Sequence, residues 1–483
     1  MKILKKSFVK LNFLVVNTEK KYKNFSSNNK LVFHSKLILL TVLISAIIGR
    51  YDLFYLNSYL SSSLNQMKNI VINQNLKDGS NGSDKSIVVH QPIKNKNLKI
   101  LFLRKNDKIS LLDNNFKDTK IFKNQSKELS NSIPFHVMSN GDLIISKAWW
   151  FDNSGLLRVN KNFEKIWELD KEVHHYASVS KKNLFVPSFS NLRWIDFKSS
   201  DLYQQFKDYN CNPEAKKFYN SSLYEWLKTG PTGVPKNYKS NEPIRIDEIL
   251  KIDLDSGKVI KKINLLEILT KDKHFLNIIR SSKNARCSDL LHLNDIVKIK
   301  DKQIEKLIDN KVLNSNKIFK NLFLISLRDI NTLAILDFEE SKILWSISGL
   351  TNSQHSPRLT GNGNLIVFDN LDHEFQGSNF GFSSIKEINL ENNKIVSTYK
   401  GDLDNNFNSK RRGRIQLIND HLYVLASDQE KFYKVSCEPQ EKIFLNNCKT
   451  NLLFSLKKNT IEDSTVFISD LYKKTNNKFL LAE

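Results

Sequence analysis

Cysteine is scarce in this sequence. Four occur in 483 residues, at Cys211, Cys287, Cys437 and Cys448, and no two are spaced C-x-x-C. Zinc ribbons and thioredoxin-type redox chemistry are therefore unsupported. No G-x-x-x-x-G-K-[ST] loop is present to cradle the phosphates of a nucleotide. The H-x-x-x-H spacing of a helical metal site is also missing, and no cofactor is expected. Acidic residues are outnumbered, 51 against 74 Lys and Arg, which leaves a formal net charge of +23. A nucleic-acid surface would need that charge gathered on one face with stacking aromatics. Lysine is instead spread along the whole chain among Asn, Ile and Phe, so no nucleic acid is expected and a small anionic substrate is compatible. Hydrophobic residues make up 40%, which excludes global disorder. Cys437 and Cys448 flank a short polar segment. They could close a hairpin in an oxidising compartment, or stand as two unpaired thiols.

The amino-terminal 36 residues hold nine lysines and a single acid, Glu19. Thirteen uncharged residues follow, Leu37 to Gly49. As a helix they reach about 20 Å, short of the ~30 Å hydrocarbon core, but extension to Leu56 reaches span length with Arg50 at the interface. No convincing small-x-small cleavage site follows. The expectation is a basic cytoplasmic segment over 1–36, a single-pass transmembrane signal anchor over 37–56, a Ser/Asn/Lys/Gly linker over 57–96, and a periplasmic or otherwise extracytoplasmic domain over 97–483. A cleaved signal, or a buried core helix, is the alternative for the apolar run.

From residue 97 the texture is short strands and turns. Its organising stretch is Asn352 to Asn370: a histidine-bearing loop, an Asn362-Gly363 turn and the apolar run Leu365 to Phe368. That run is long enough for a strand and too short for a helix. The turn is expected to need positive φ at both central residues. Similar arrangements start at Phe135-His136, His174-His175, His292 and Gly413-Arg414. About six units of three or four short strands predict an all-β fold, a six-bladed β-propeller preceded by the anchor helix. Two polar insertions, about 205–245 and 299–318, are expected as loops or short helices.

In a radial repeat a polar residue just before the innermost strand faces one mouth of the central channel. His136, His174 or His175, His292 and His355 take roughly that place, four of only ten histidines. Clustered imidazoles could bind a metal, act as acid and base, or attack as nucleophiles beside a cation. Arg328, ending the apolar run Leu322 to Leu327, would be that cation, since a buried arginine is costly unless it faces a channel or a partner.

At His292-Leu293-Asn294-Asp295, at Leu324 through Arg328 to Thr332, and at Gln354-His355 through Asn362-Gly363-Asn364 to Asn370, the chain resembles the bacterial arylsulfate sulfotransferase family, which needs no nucleotide sulfate donor. His174-His175 resembles the family's earlier histidine motif. The resemblance implies a six-bladed propeller and a periplasmic transferase. It would move a sulfuryl group from a phenolic sulfate ester to a phenol or other hydroxyl acceptor. It implies a sulfated-histidine intermediate at His355, with His292, Arg328 and His175 as its catalytic companions and Asn294, His174, Arg358 and Arg414 as substrate-binding residues. The sequence departs from the family where Asp commonly follows the motif histidines: Ser356 follows His355, and Tyr176 follows His175. The competing expectation is a catalytically inactive propeller that binds or scaffolds at the membrane surface; a metal-dependent propeller is a third.

Overall fold

A computed structural model of the protein describes residues 87–93, 100–105, 108–123, 134–147, 155–192, 244–281, 290–314, 317–372, 383–402, 404–410, 412–418, 421–440, 442–456, 467–475 and 478–481. The expected anchor over 37–56, and most of the 205–245 insertion, lie outside these. Among the described residues no helix is long and apolar enough to cross a membrane.

The strands make an all-β propeller. Four sheets are formed by consecutive antiparallel strands: Pro134–Val137, Leu143–Ser146, Leu156–Val159 and Lys165–Leu169; Ser178–Ser180, Asn183–Leu192, Ile244–Asp253 and Val259–Asn264; Leu293–Lys298, Leu322–Leu327, Thr332–Asp337 and Lys342–Ser348; and His355–Leu359, Leu365–Asp369, Ser384–Asn389 and Lys394–Tyr399. These are the second to fifth sheets in chain order. Two five-stranded sheets borrow from distant sequence. The sixth, Arg414–Ile418, His421–Ala426, Lys431–Ser436 and Lys449–Leu456, gains Ile87–Val89 at its edge. The first, Ile100–Lys105, Lys108–Leu112 and Asp118–Lys123, gains Phe467–Thr475 and Lys478–Leu481. Five sheets are described with most of their side chains; the first is described chiefly by its pairing. Four of these six sheets hold four strands, within the expected three or four, and the first and sixth exceed it with five. The folded domain starts before residue 97, because Ile87–Val89 already pairs with Phe454–Leu456.

Middle strands such as Leu322–Leu327, Thr332–Asp337 and Leu365–Asp369 are buried along their whole length. A strand covered on both faces reads as a continuous apolar run. Their side chains meet the neighbouring sheet in separate clusters. Phe185, Ile249, Phe323 and Phe338 join the third sheet to the fourth. Leu324, Ile335, Leu365 and Val367 join the fourth to the fifth, and Ile366, Phe368, Val424 and Tyr433 the fifth to the sixth. The leading strands of the third to sixth sheets lie beside one another in turn, so their starts converge.

The Asn-Gly turns differ from expectation. Gly363 has φ 87° and Gly141 φ 89°, while neither Asn362 nor Asn140 has positive φ. The amide of Gly363 donates to Thr360 O (3.1 Å) and that of Thr360 to Asn364 O (2.9 Å); Met138 to Asp142 repeats the pattern. This is the three-residue loop that ends in one left-handed position, which glycine fills without strain. Part of the 299–318 insertion is a helix, α1, Asp301–Asp309. It packs on this turn: Asn310 Nδ2 donates to Asn362 O (3.2 Å), and a Cβ at Gly363 would lie 2.5 Å from that same nitrogen.

Cys437 and Cys448 form a disulfide. The hairpin it closes is anchored by Glu387, whose carboxylate accepts from Phe444 N (2.8 Å) and Leu445 N (2.8 Å).

Candidate active site

Three leading strands begin irregularly. Register shifts fall between Leu293 and Asp295, between His355 and Arg358, and between Pro134 and His136. Bulges bend a strand, re-aim its side chains and gather beside active sites. Left-handed backbone gathers here too: His175 (φ 53°), His292 (55°), Ser353 (55°) and Ser356 (56°). Such conformations cost about 1–3 kcal/mol each in a non-glycine residue and persist where neighbours over-determine them.

The neighbours can be named. Buried Asp247 accepts from His292 N (3.1 Å) and Leu293 N (2.9 Å). Arg328 N donates to His292 O (3.0 Å) and Asp329 N to Leu291 O (3.1 Å), so the pairing runs past the strand ends and sets Arg328 against His292. The Arg328 guanidinium reaches His292 Nε2 (3.5 Å) and Asp329 Oδ1 (3.4 Å). A guanidinium only donates, so Nε2 of His292 is the acceptor at that contact.

His355 is held from both sides. Gln354 Nε2 has its two protons among Ser326 Oγ, Leu327 O and Thr332 O (3.2, 3.3 and 3.2 Å away), while Asn294 Nδ2 donates to Gln354 O (2.6 Å). Ser353 N donates to Asn331 Oδ1 (2.9 Å). Ser356 Oγ both donates to Ile415 O (3.0 Å) and accepts from Ile415 N (2.9 Å), which ties the loop to the sixth sheet. Serine in place of an acid is thus a structural clamp. The ring itself points Nδ1 at Ser353 O (3.0 Å) and Asn370 Oδ1 (2.7 Å). His355 is buried, and burial first, then the Arg328 charge, lowers its pKa to about 3, against the raising effect of the Asn370 bond. It is neutral at any physiological pH.

The two members of the first histidine pair separate. His175 faces the His292 ring, centroids 4.9 Å apart. Burial, then the neighbouring His292, His174, His355 and Arg328, lowers its pKa well below the ordinary value. His174 lies behind it, stacked on Phe189 (3.8 Å), with Nε2 3.7 Å from Asp247 Oδ1 and Nδ1 2.7 Å from His175 Nδ1. The sequence residues brought together are therefore His175, His292, Arg328 and His355, with Asn294 and His174 supporting them. Arg414 is buried, and its guanidinium covers the Tyr176 ring. Arg358 contacts buried Asp295 (3.3 Å) and Pro357 O (2.7 Å). His136 has a different register: it is the third residue of its strand, beyond the bulge, whereas His292 and His175 precede theirs and His355 begins its own. Asp247 was not singled out by the sequence, and Gln354 and Asn370 entered only as the ends of a motif, with no role given; an acid in the run Ile244 to Leu250 was the available signal for Asp247. Among the described residues no group of three or more His, Cys, Asp or Glu is arranged to hold a metal ion.

Residues 232–437 match the family model described as Arylsulfotransferase (ASST). Over that stretch, a little under half of its length, the chain is similar to the arylsulfotransferase family. The matched residues contain His292, Arg328, His355 and Asn370, and begin after the His174-His175 pair. No curated protein matches the chain. Among solved structures it is similar to a protein of unknown function from Bacteroides caccae (10% identity, 75% of this chain and 100% of that one, TM-score 0.35). It is also similar to the β-propeller domain of Myceliophteria thermophila Cps50 (Swd1) (9%, 75% and 84%, 0.35) and to the dihydro-heme d1 dehydrogenase NirN in complex with DHE (8%, 80% and 63%, 0.31). An arylsulfotransferase implies sulfuryl-transfer activity on phenolic substrates in general.

Proposed function

We propose that this protein moves a sulfuryl group from a phenolic sulfate ester to a phenol or other hydroxyl through a sulfated His355. The observation that carries the reading is the convergence of a neutral, buried His355 with His292, His175 and Arg328. Sulfuryl transfer spreads charge over equatorial oxygens, so positioning and fixed cations dominate, as in phosphoryl transfer. An unprotonated ring nitrogen of His355 attacks sulfur; the N–S bond forms and the S–O bond to the arene breaks. The first phenolate leaves and takes a proton from solvent. The acceptor hydroxyl then attacks the sulfated histidine, the N–S bond breaks, and the acceptor's proton passes to a neighbouring imidazole. On this reading the Arg328 guanidinium, 3.5 Å from His292 Nε2, supplies the fixed cation for the sulfonate oxygens.

Incubation with a chromogenic aryl sulfate, followed by peptide mass spectrometry, tests this. Sulfate mapped to His355, base-stable and acid-labile, and discharged by added phenol, is expected. Turnover that survives His355→Ala would overturn it. The same reading places a six-bladed ring outside a membrane, anchored by residues 37–56; the Cys437–Cys448 disulfide supports an oxidising compartment. Protease accessibility of intact cells, with the domain digested only from outside, checks the orientation.

A further inference from the structure

The Asn370 amide sits between two partners that fix which way it points. Its Nδ2 lies 2.6 Å from Ser409 O, and a carbonyl oxygen accepts only, so the nitrogen must face Ser409. Its Oδ1 then faces His355 Nδ1 at 2.7 Å. The other neighbour of that ring nitrogen, Ser353 O at 3.0 Å, is also an acceptor. A ring nitrogen between two acceptors carries the proton. Neutral imidazole has one N–H, so Nε2 keeps its lone pair.

Asn370 is itself held. It follows Asp369, whose Oδ1 accepts from Asn352 N (2.8 Å), and Leu371 N donates to Asn352 O (3.1 Å). Ser383 Oγ accepts from Ser409 N (2.9 Å), and its single proton faces the carbonyl oxygens of Asn370 (3.0 Å) and Ser409 (3.1 Å). The amide therefore has one available orientation, and it passes that constraint to the ring.

We propose that Asn370 is the positioning residue of His355, an uncharged orienter that pins the proton on Nδ1 and presents a bare Nε2 to the sulfuryl group. The assignment rests on the sulfotransferase reading for its chemistry, but not for its geometry. A second-layer carboxylate would hold the ring equally well and add negative charge, which raises the basicity of the imidazole. An amide orients without that charge, so the nucleophile stays unprotonated beside Arg328. The task that would fall to an acid in the position of Ser356 is met from across the hairpin.

The test separates the two readings. In full-length protein labelled with 15N-histidine, two-bond 1H–15N correlation reports the tautomer of each ring, and His355→Gln identifies the His355 signals. The wild type is expected to carry the His355 proton on Nδ1. Asn370→Asp, which keeps an acceptor, should retain that tautomer. Asn370→Leu should shift the ring toward the Nε2–H form and slow sulfation of His355 at least tenfold, with the donor KM changed less than about twofold. A wild-type ring protonated on Nε2 would overturn the proposal. So would an Asn370→Leu variant that keeps the wild-type tautomer, since Ser353 O would then suffice. Should the wild type show this tautomer but never become sulfated, the sulfotransferase reading falls and the orienting role stands.

Discussion

The guanidinium of Arg414 lies 3.5 Å from the centroid of the Tyr176 ring. Arg414 opens the leading strand of the sixth sheet, and Tyr176 comes just before that of the third. Two whole sheets stand between them in the order of the ring, so the stack crosses the interior beside His175. Tyrosine where the family commonly has an acid thus acts as a platform for a cation.

Tyr176→Leu should remove that platform. A desolvated cation–π contact is worth about 2 kcal/mol, and a loss of that size is expected in urea unfolding. Tyr176→Phe keeps the ring face and should stay within about 0.5 kcal/mol of wild type. Equal losses in both would assign the effect to the phenolic hydroxyl instead.

Ser356→Ala should cost more than an average buried serine. It strips the partner from buried Ile415 N and Ile415 O together, and an unsatisfied buried backbone donor costs about 1–3 kcal/mol. Ser356→Gly tests the other half of the argument. It suits the 56° φ but also lacks the hydroxyl, so it should recover backbone strain and not the clamp. The expected stability order is wild type, then Gly, then Ala.

Acid should weaken the fold through the buried imidazoles. The folded-state pKa of His355 is lowered to about 3 from 6.5, and that of His175 is lowered well below 6.5. The unfolded chain therefore binds more protons than the folded one as pH falls from 6.5 toward 3, and stability is lost over that window. Unfolding free energy measured at pH 7.5 and 4.5 should differ less in His355→Gln than in wild type. Arg328→Gln removes the second cause of the lowering. It should raise the His355 pKa and move any acid limb of sulfation to higher pH.

Gly363 and Asn310 should be coupled. Gly363→Ala meets both a φ of 87° and an amide nitrogen 2.5 Å from the new Cβ, and a loss of about 2 kcal/mol or more is expected. Paired with Asn310→Ala, the clash is relieved and only the backbone strain persists. A double-mutant cycle should therefore show the pair losing less than the sum of the singles.

Much of the fold was readable because its middle strands are buried on both faces. Leu322 to Leu327 and Leu365 to Phe368 could be little else. What escaped was the strand that completes the sixth sheet: Ile87–Val89 lies in a polar stretch, and only its distant partner reveals it. His355, His292 and Arg328 stood out by residue type and repeat register. Asn370 did not, because the bulge at Ser356-Pro357 slips the hairpin by one residue. Counting from Arg358↔Ile366 would set His355 opposite Asp369, but it pairs with Phe368, and the amide reaches the ring from beyond the strand end. The choice between His174 and His175 depended on Phe189 and Asp247, which belong to separate strands of the same sheet.

The first and sixth sheets are each completed by a sequence-remote strand: Phe467–Thr475 on Ile100–Lys105, and Ile87–Val89 on Phe454–Leu456. Neither sheet can be completed until residues 454–456 and 467–475, more than 350 residues further along the chain, have been made. Until then the first and sixth sheets each lack a strand, and the ring that gathers His355, His292 and Arg328 is unfinished.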